Sequence, residues 1–213
     1  IIDETMFAWR GKSGTGGTLH LPYIPRKPED LGCELKTLCD GTSGVMMYME
    51  IQEGKVRMNR KRWHQKHGAT TACTLRCLEA SGRAQKEHRP EEREPRSCGG
   101  DAWFAGVRTT RACDDELGIK FVGPVKTNTK EFPRGAIRHA LHGTTRGTHV
   151  VFEEQDPEGE KTGVCAVGWN DHWHEAFVTN YGSVTPGKPA NKKRQRAEDG
   201  RNYYTPVPRP SHL

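Results

Sequence analysis

Polar and apolar residues alternate through one stretch of the chain. Cys33, Leu35, Thr37 and Cys39 alternate with Glu34, Lys36 and Asp40, and beyond Asp40-Gly41 the residues Val45, Met47, Met49 and Ile51 alternate with Met46, Tyr48 and Glu50. A period of two on either side of an Asp-Gly turn predicts a β-hairpin of two half-buried strands. Residues 70–80 have the composition of a short helix, and residues 82–96 are charged and poor in apolar side chains, which predicts a mobile surface loop. After SCGGD (97–101), Trp103, Val107, Thr110, Cys113 and Leu117 recur at near-helical spacing and Gly118 supplies a stop, so a strand-turn-helix unit centres on Asp101. Ile119, Phe121 and Val125 predict a strand, and Pro133 opens a helix with Ala136, Ile137, Ala140 and Leu141 on one face. Three further strand-like runs follow at 148–153, 163–169 and 175–181. Residues 186–213 hold Pro186, Pro189, Pro206, Pro208 and Pro210 around the run KKRQR, a composition that builds no packed core of its own. The expected organisation is one mixed α/β domain over 1–185, followed by an irregular, basic, Pro-rich tail over 186–213.

Composition narrows the class. At 213 residues the chain suits one domain, and no apolar run approaches the ~18 residues that a membrane-spanning helix needs, so no membrane partner is expected. The first residues, IIDETMFAWRGK, lack the basic, apolar and small-residue order of a secretory signal, and a chain beginning with Ile reads as a fragment. Thirty-three Lys and Arg against 27 Asp and Glu leave a net charge of +6, with a pI near 9.0. That excess leans toward a polyanionic partner. The seven cysteines are scattered without a CxxC pair, the pattern of reduced thiols in a cytosolic or nuclear protein.

Several residues could carry chemistry. Asp3 follows Ile1 and Ile2, and Asp101 sits where a strand end meets a helix start. Carboxylates on neighbouring strand ends can hold two divalent ions ~4 Å apart, whereas the plainer readings are a helix N-cap for Asp101 and a solvated acid for Asp3. Asp171, within NDHWH, reads as a turn residue, and Asp199 lies in the tail. His64, His67, Cys73 and Cys77 match no common finger spacing, so zinc is not expected, and His172 and His174 read as alternate residues on one strand face. The run RMNRKRWHQK (57–66) contributes Arg57, Arg60, Lys61 and Arg62 with Trp63 interleaved, and the tail contributes Lys192, Lys193, Arg194 and Arg196. Such clusters either track DNA phosphates, with an aromatic stacking on an exposed base, or form solvated loops. KKRQR also fits a nuclear-localisation address. GKSGTGG (11–17) lacks the spacing of a phosphate-binding loop.

The segment PRKPEDLGCELKTLCDGTSGVMMYMEIQEGK (25–55) resembles the piggyBac-like transposases and the proteins derived from these transposable elements. IDETM (2–6) is similar to their first catalytic motif, GDAWFAGVRT (100–109) to the second, IKFVGPVKTNTKEFP (119–133) to the strand and turn that follow, and GWNDHWHEAFVTNYG (168–182) to a late hairpin; PGKPANKKRQR and VPRP (207–210) resemble the approach to a third acidic motif. The resemblance implies an RNase H-like mixed sheet with flanking helices. It also implies an Asp-Asp-Asp set binding Mg²⁺ or Mn²⁺, with DNA cleavage and joining at TTAA sites in the nucleus. Asp3 and Asp101 correspond to the first two acids; the third, and the segments that pair two copies and bind element ends, are expected outside this chain. Two functions follow: a fragment of a transposase catalytic domain, inactive in this form, or a domesticated, non-catalytic module binding DNA or protein.

Overall fold

The structure, a computed structural model, describes residues 1–9, 20–25, 27–82 and 96–182, together with the backbone of 190–196 and 202–207. Strand β1 (Ile2–Ala8) pairs antiparallel with β2 (Gly32–Cys39), and β2 pairs antiparallel with β3 (Met46–Ile51). The expected hairpin is β2–β3. In its connection Asp40 accepts hydrogen bonds from the Ser43 N–H and Oγ, both at 2.8 Å. Its burial differs from the half-buried expectation. β2 is the middle strand and is buried over almost its whole length, Lys36 included. On β3 the exposed set is the apolar one, Met49 and Ile51, while Glu50 points into the core.

The reason lies in the helices. After the single turns α1 (Lys55–Met58) and α2 (His64–His67) comes α3 (Ala69–Ala80), in which every residue from Thr71 to Leu78 is buried. Arg76 lies within that helix, and its Nε and Nη2 meet the two Glu50 carboxylate oxygens at 2.6 and 2.7 Å. A buried arginine requires a buried carboxylate, so the pair selects which face of β3 turns inward.

Beyond α3, β4 (Ser97–Gly99) leads through α4 (Val107–Leu117) to β5 (Lys120–Pro124), parallel to β4. α4 stops at Gly118 as expected, but Trp103 precedes the helix rather than starting it. Strands β6 (His149–Gln155), β7 (Lys161–Asn170) and β8 (His174–Thr179) form an antiparallel meander, and the sheet order is β4-β5-β8-β7-β6. α5 (Arg134–Leu141) covers it with Ile137 and Leu141, while Ala136 and Ala140 face solvent. A parallel bridge between Ile2 and Gly100 joins the two sheets at β1 and β4. The resulting order β3-β2-β1-β4-β5, with β1, β4 and β5 parallel, is the RNase H-like arrangement. α3 and α4 pack on one face around Ile2, Leu75, Leu78, Phe104, Leu117 and Phe121.

The tail is not irregular throughout: β9 (Ala190–Arg196) and β10 (Asn202–Val207) form a two-stranded ribbon. Pro206 is accommodated at a register shift, where a missing N–H costs no ladder bond. The expected loop at 82–96 lies, except for its two end residues, outside the described residues. No described helix is long and apolar enough to cross a membrane.

The buried ion pair makes an asymmetric prediction. Glu50→Ala strands the Arg76 charge and should cost about 3–5 kcal/mol, lowering the thermal midpoint by roughly 10 °C or more. Replacing Glu50 by Leu and Arg76 by Met together should recover most of the loss. Thermal unfolding of the three variants decides the matter, and a double variant weaker than the single would refute the coupling.

A second prediction concerns acid. Burial raises the Glu4 pKa, but Lys36 and Lys27, each about 3.0 Å away, outweigh it and hold the carboxyl at about 2. A folded pKa depressed below the unfolded value stabilises fully above about pH 4.5 and loses that contribution as pH falls toward 2. Urea midpoints measured from pH 5 to 2 should therefore fall more steeply for the wild type than for Glu4→Gln.

Candidate functional site

The Ile2–Gly100 bridge sets the geometry. One residue beyond it on each strand stand Asp3 and Asp101, so residues 98 positions apart emerge side by side from adjacent parallel strands. Both are exposed. Asp3 Oδ1 accepts the Glu4 N–H at 2.7 Å and Asp101 Oδ1 the Trp103 N–H at 2.8 Å. The Asp101 carbonyl also accepts the N–H groups of Phe104 and Ala105, closing a tight turn over 101–105. Asp101 is therefore not the N-cap of α4. That position belongs to Gly106, because the turn intervenes between strand and helix.

Among the described residues neither carboxylate pairs with a cation. Two bare carboxylates offer the hard oxygen donors that suit Mg²⁺ or Mn²⁺. Among the described residues no group of three His, Cys, Asp or Glu side chains gathers as a metal site. Glu4, next to Asp3, points to the opposite strand face. Its carboxylate is held by Lys36 and Lys27. Lys36 is 1% exposed; its ammonium also reaches Glu34 at 2.6 Å and lies 3.8 Å from the Trp103 ring centroid. This buried cation ties β1, β2 and the 101–105 turn together and so fixes the backbone that carries both aspartates.

The other expected acids lie elsewhere. Asp171 occupies the β7–β8 turn and accepts two hydrogen bonds from Arg146, as a turn residue should. Asp199 lies outside the described residues, as does the 11–17 glycine segment. His67 Nε2 is 3.0 Å from Glu116, whereas Cys73 and Cys77 are core residues of α3. All seven cysteines are free thiols. His172 sits in the turn rather than on a strand, because β8 begins only at His174.

Of the first basic cluster, Arg60 is exposed. Arg57 and Lys61 both pair with Glu53, and Arg62 pairs with Glu79. The Trp63 indole is half-buried against the core, donates to Glu79 at 3.2 Å and is covered by Arg62 at 4.5 Å, so it offers no open stacking face. Lys192, Lys193, Arg194 and Arg196 lie on β9 of the ribbon. Sequence reasoning places a turn after β5 but assigns its basic residues no role. There Lys126 and Lys130, with Arg108 of α4, line a groove of about 200 Å³ shared with Trp103 and Ala105 of the Asp101 turn. The only local signal is the pair of lysines in KTNTK, which shows no link to Asp101 until the chain folds.

In a cryo-EM structure of a piggyBac transposase synaptic complex with hairpin DNA, the transposase superposes on this chain with a TM-score of 0.64 at 15% identity. The likeness covers 86% of this chain and 33% of that one, so the chain spans about a third of that transposase. At this identity the shared property is the fold. No curated protein matches. The family model described as Transposase IS4 matches residues 1–205, running through the domain and into the tail, and the chain therefore belongs to the Transposase IS4 family.

Proposed function

We propose that this chain provides the catalytic core of a piggyBac-like DNA transposase, with Asp3 and Asp101 as two of its metal-holding carboxylates. The observation that carries this reading is the parallel Ile2–Gly100 register, which delivers both aspartates bare to one edge of the sheet. In such sites divalent ions activate an attacking hydroxyl and stabilise the leaving oxygen of a phosphodiester. The chain's own residues do the rest. Asp3 and Asp101 bind and orient, and the buried Lys36 network keeps their strands from shifting. Arg108, Lys126 and Lys130 supply positive charge to phosphates along the adjoining groove. The domain over 1–185 carries the site, and the basic run on β9 serves as a nuclear-import address.

Two carboxylates fix an ion pair poorly, because the third ligand sets geometry as well as charge. No third such ligand gathers with Asp3 and Asp101 among the described residues, and we read the chain by itself as an inactive core. The same observation favours the second reading, a domesticated module that binds DNA without cutting it.

Metal binding tests the site directly. Mn²⁺ titration followed by electron paramagnetic resonance should show one weak site, with a dissociation constant on the order of 10⁻⁴ to 10⁻³ M. Asp3→Ala or Asp101→Ala should weaken it tenfold or more, and Asp171→Ala should leave it unchanged. Indifference to Asp101→Ala would remove the carboxylate pair from the proposal.

Activity is the second test. Incubated with Mg²⁺ or Mn²⁺ and a TTAA-flanked substrate, the chain should give no strand cleavage or joining above background on a denaturing gel. Cleavage abolished by Asp101→Ala would instead mean that a third ligand is present in the chain.

A further inference from the structure

The β7–β8 turn carries features that the carboxylate site does not use. Asp171 anchors it through Arg146, whose Nε and Nη2 reach Oδ1 at 2.8 and 2.5 Å, and the Asp171 N–H donates to the Trp173 carbonyl at 3.1 Å. The turn is thus held, yet the Trp173 ring at its tip is 80% exposed. A large aromatic normally finds apolar contact, so a fixed backbone presenting a bare indole is a platform without an internal partner among the described residues.

Beside it opens a cavity of about 440 Å³ lined by Trp173, His172, His174, Arg134, Arg138 and Thr127. Arg134 spends one nitrogen on the Val125 carbonyl at 2.6 Å, while its buried Nε has no hydrogen-bond partner. A buried guanidinium N–H left unpaired costs free energy that an incoming acceptor would return. Burial and then the neighbouring Arg138 lower the Arg134 pKa, with Glu175 the opposing charge nearby. Asp171, the other acid of the turn, is already neutralised by Arg146. The cavity therefore favours anions.

Its position matters as much as its charge. Asp101 leaves the carboxyl end of β4, and β5 ends on the same edge at Pro124, paired with Phe177 of the antiparallel β8. The β7–β8 turn rises from that edge too. By strand spacing and rise, Trp173 stands roughly 20 Å from Asp101, which is less than one turn of a DNA duplex.

We infer that the β7–β8 turn is a second nucleic-acid contact of this chain, with Trp173 stacking on an unpaired base and Arg134 and Arg138, flanked by His172 and His174, receiving the adjoining phosphates. This rests on the DNA-processing reading but not on metal binding, and the test separates the two.

The experiment measures fluorescence anisotropy of the full chain in EDTA with a labelled single-stranded oligonucleotide, an equal-length oligonucleotide bearing abasic sites, and polyglutamate as competitor. Trp173→Ala should weaken the base-bearing strand about tenfold, leave the abasic strand unaffected and keep the wild-type thermal midpoint; Trp173→Phe should restore part of the loss. Arg138→Ala with His174→Ala should weaken both strands. Equal affinity of wild type and Trp173→Ala for the base-bearing strand overturns the stacking role. Polyglutamate competing as well as DNA assigns the cavity to acidic protein instead. Mn²⁺ binding measured on Trp173→Ala should match wild type, so failure of the metal site and failure of this contact are distinguishable.

Discussion

Where the two sheets meet, β4 lies between β1 and β5, and neither Gly100 nor Gly123 carries a side chain that would hold the strands apart. At Gly100 a Cβ would come within 3.0 Å of both Ile2 Cγ2 and Phe104 Cβ, and at Gly123 within 2.5 Å of the Gly100 carbonyl oxygen. Real Cβ atoms do not tolerate the second distance against main chain, so this approach is open to glycine alone. The approach brings β4 between β1 and β5, permits the Ile2–Gly100 bridge, and lets Phe104 and Phe121 close the core beneath it. The placement of Asp3 beside Asp101 depends on that contact, because the Ile2–Gly100 bridge sets the register of their strands.

Directly under this junction the protein buries a lysine. Desolvating an ammonium is costly, and the structure compensates with two carboxylates, Glu4 and Glu34, and an indole face. An apolar residue at the position of Lys36 would pack at lower desolvation cost but could not reach β1 and the 101–105 turn at once. The arrangement exchanges stability for a defined placement of the two strand ends. Arg76 and Glu50 repeat the device one strand away, where they orient β3 against α3. Charge inside this domain specifies register, while the apolar cluster of α3 and α4 supplies most of the burial.

How far this was legible in the sequence depends on the range of the signal. Alternation around Asp40-Gly41 locates the β2–β3 hairpin, and near-helical spacing with Gly118 locates α4, because both patterns are local. Alternation does not say which set of side chains faces inward when a distant helix offers a charge. That is why Met49 and Ile51 of β3 are outside and Glu50 inside. Prolines in the tail argue against a core but not against a ribbon, since an edge position or register shift tolerates Pro206. The pairing of Asp3 with Asp101 spans 98 positions and has no periodic signature; the family resemblance suggested it, and the bridge supplies its geometry. The basic run at 57–66 looks like an open cationic stripe, yet Glu53 and Glu79 take up three of its charges. Lys126, Lys130 and Arg134, which sequence spacing left unmarked, gather only once β5 and α5 are placed.

The charges on the carboxyl edge then set a condition on any strand that binds there. Lys126 and Lys130 attract phosphates, but the same edge presents Asp3 and Asp101, whose negative charge repels them. Among the described residues no cation answers those two aspartates, whereas Glu4, Glu34, Glu50 and Asp171 are each answered by a lysine or arginine. The pair at the sheet junction is exposed and side by side, so on the proposed reading its charge is met from outside the chain. A divalent cation meets it without adding an apolar surface or a hydrogen-bond donor, and in doing so converts a repulsive point on the edge into an attractive one. On the proposed reading, strand binding and metal binding at this edge are linked: far from the carboxylates, at the β7–β8 turn, the protein's own cations would hold a nucleic-acid strand, whereas beside Asp3 and Asp101 a strand would be held only with the ion present.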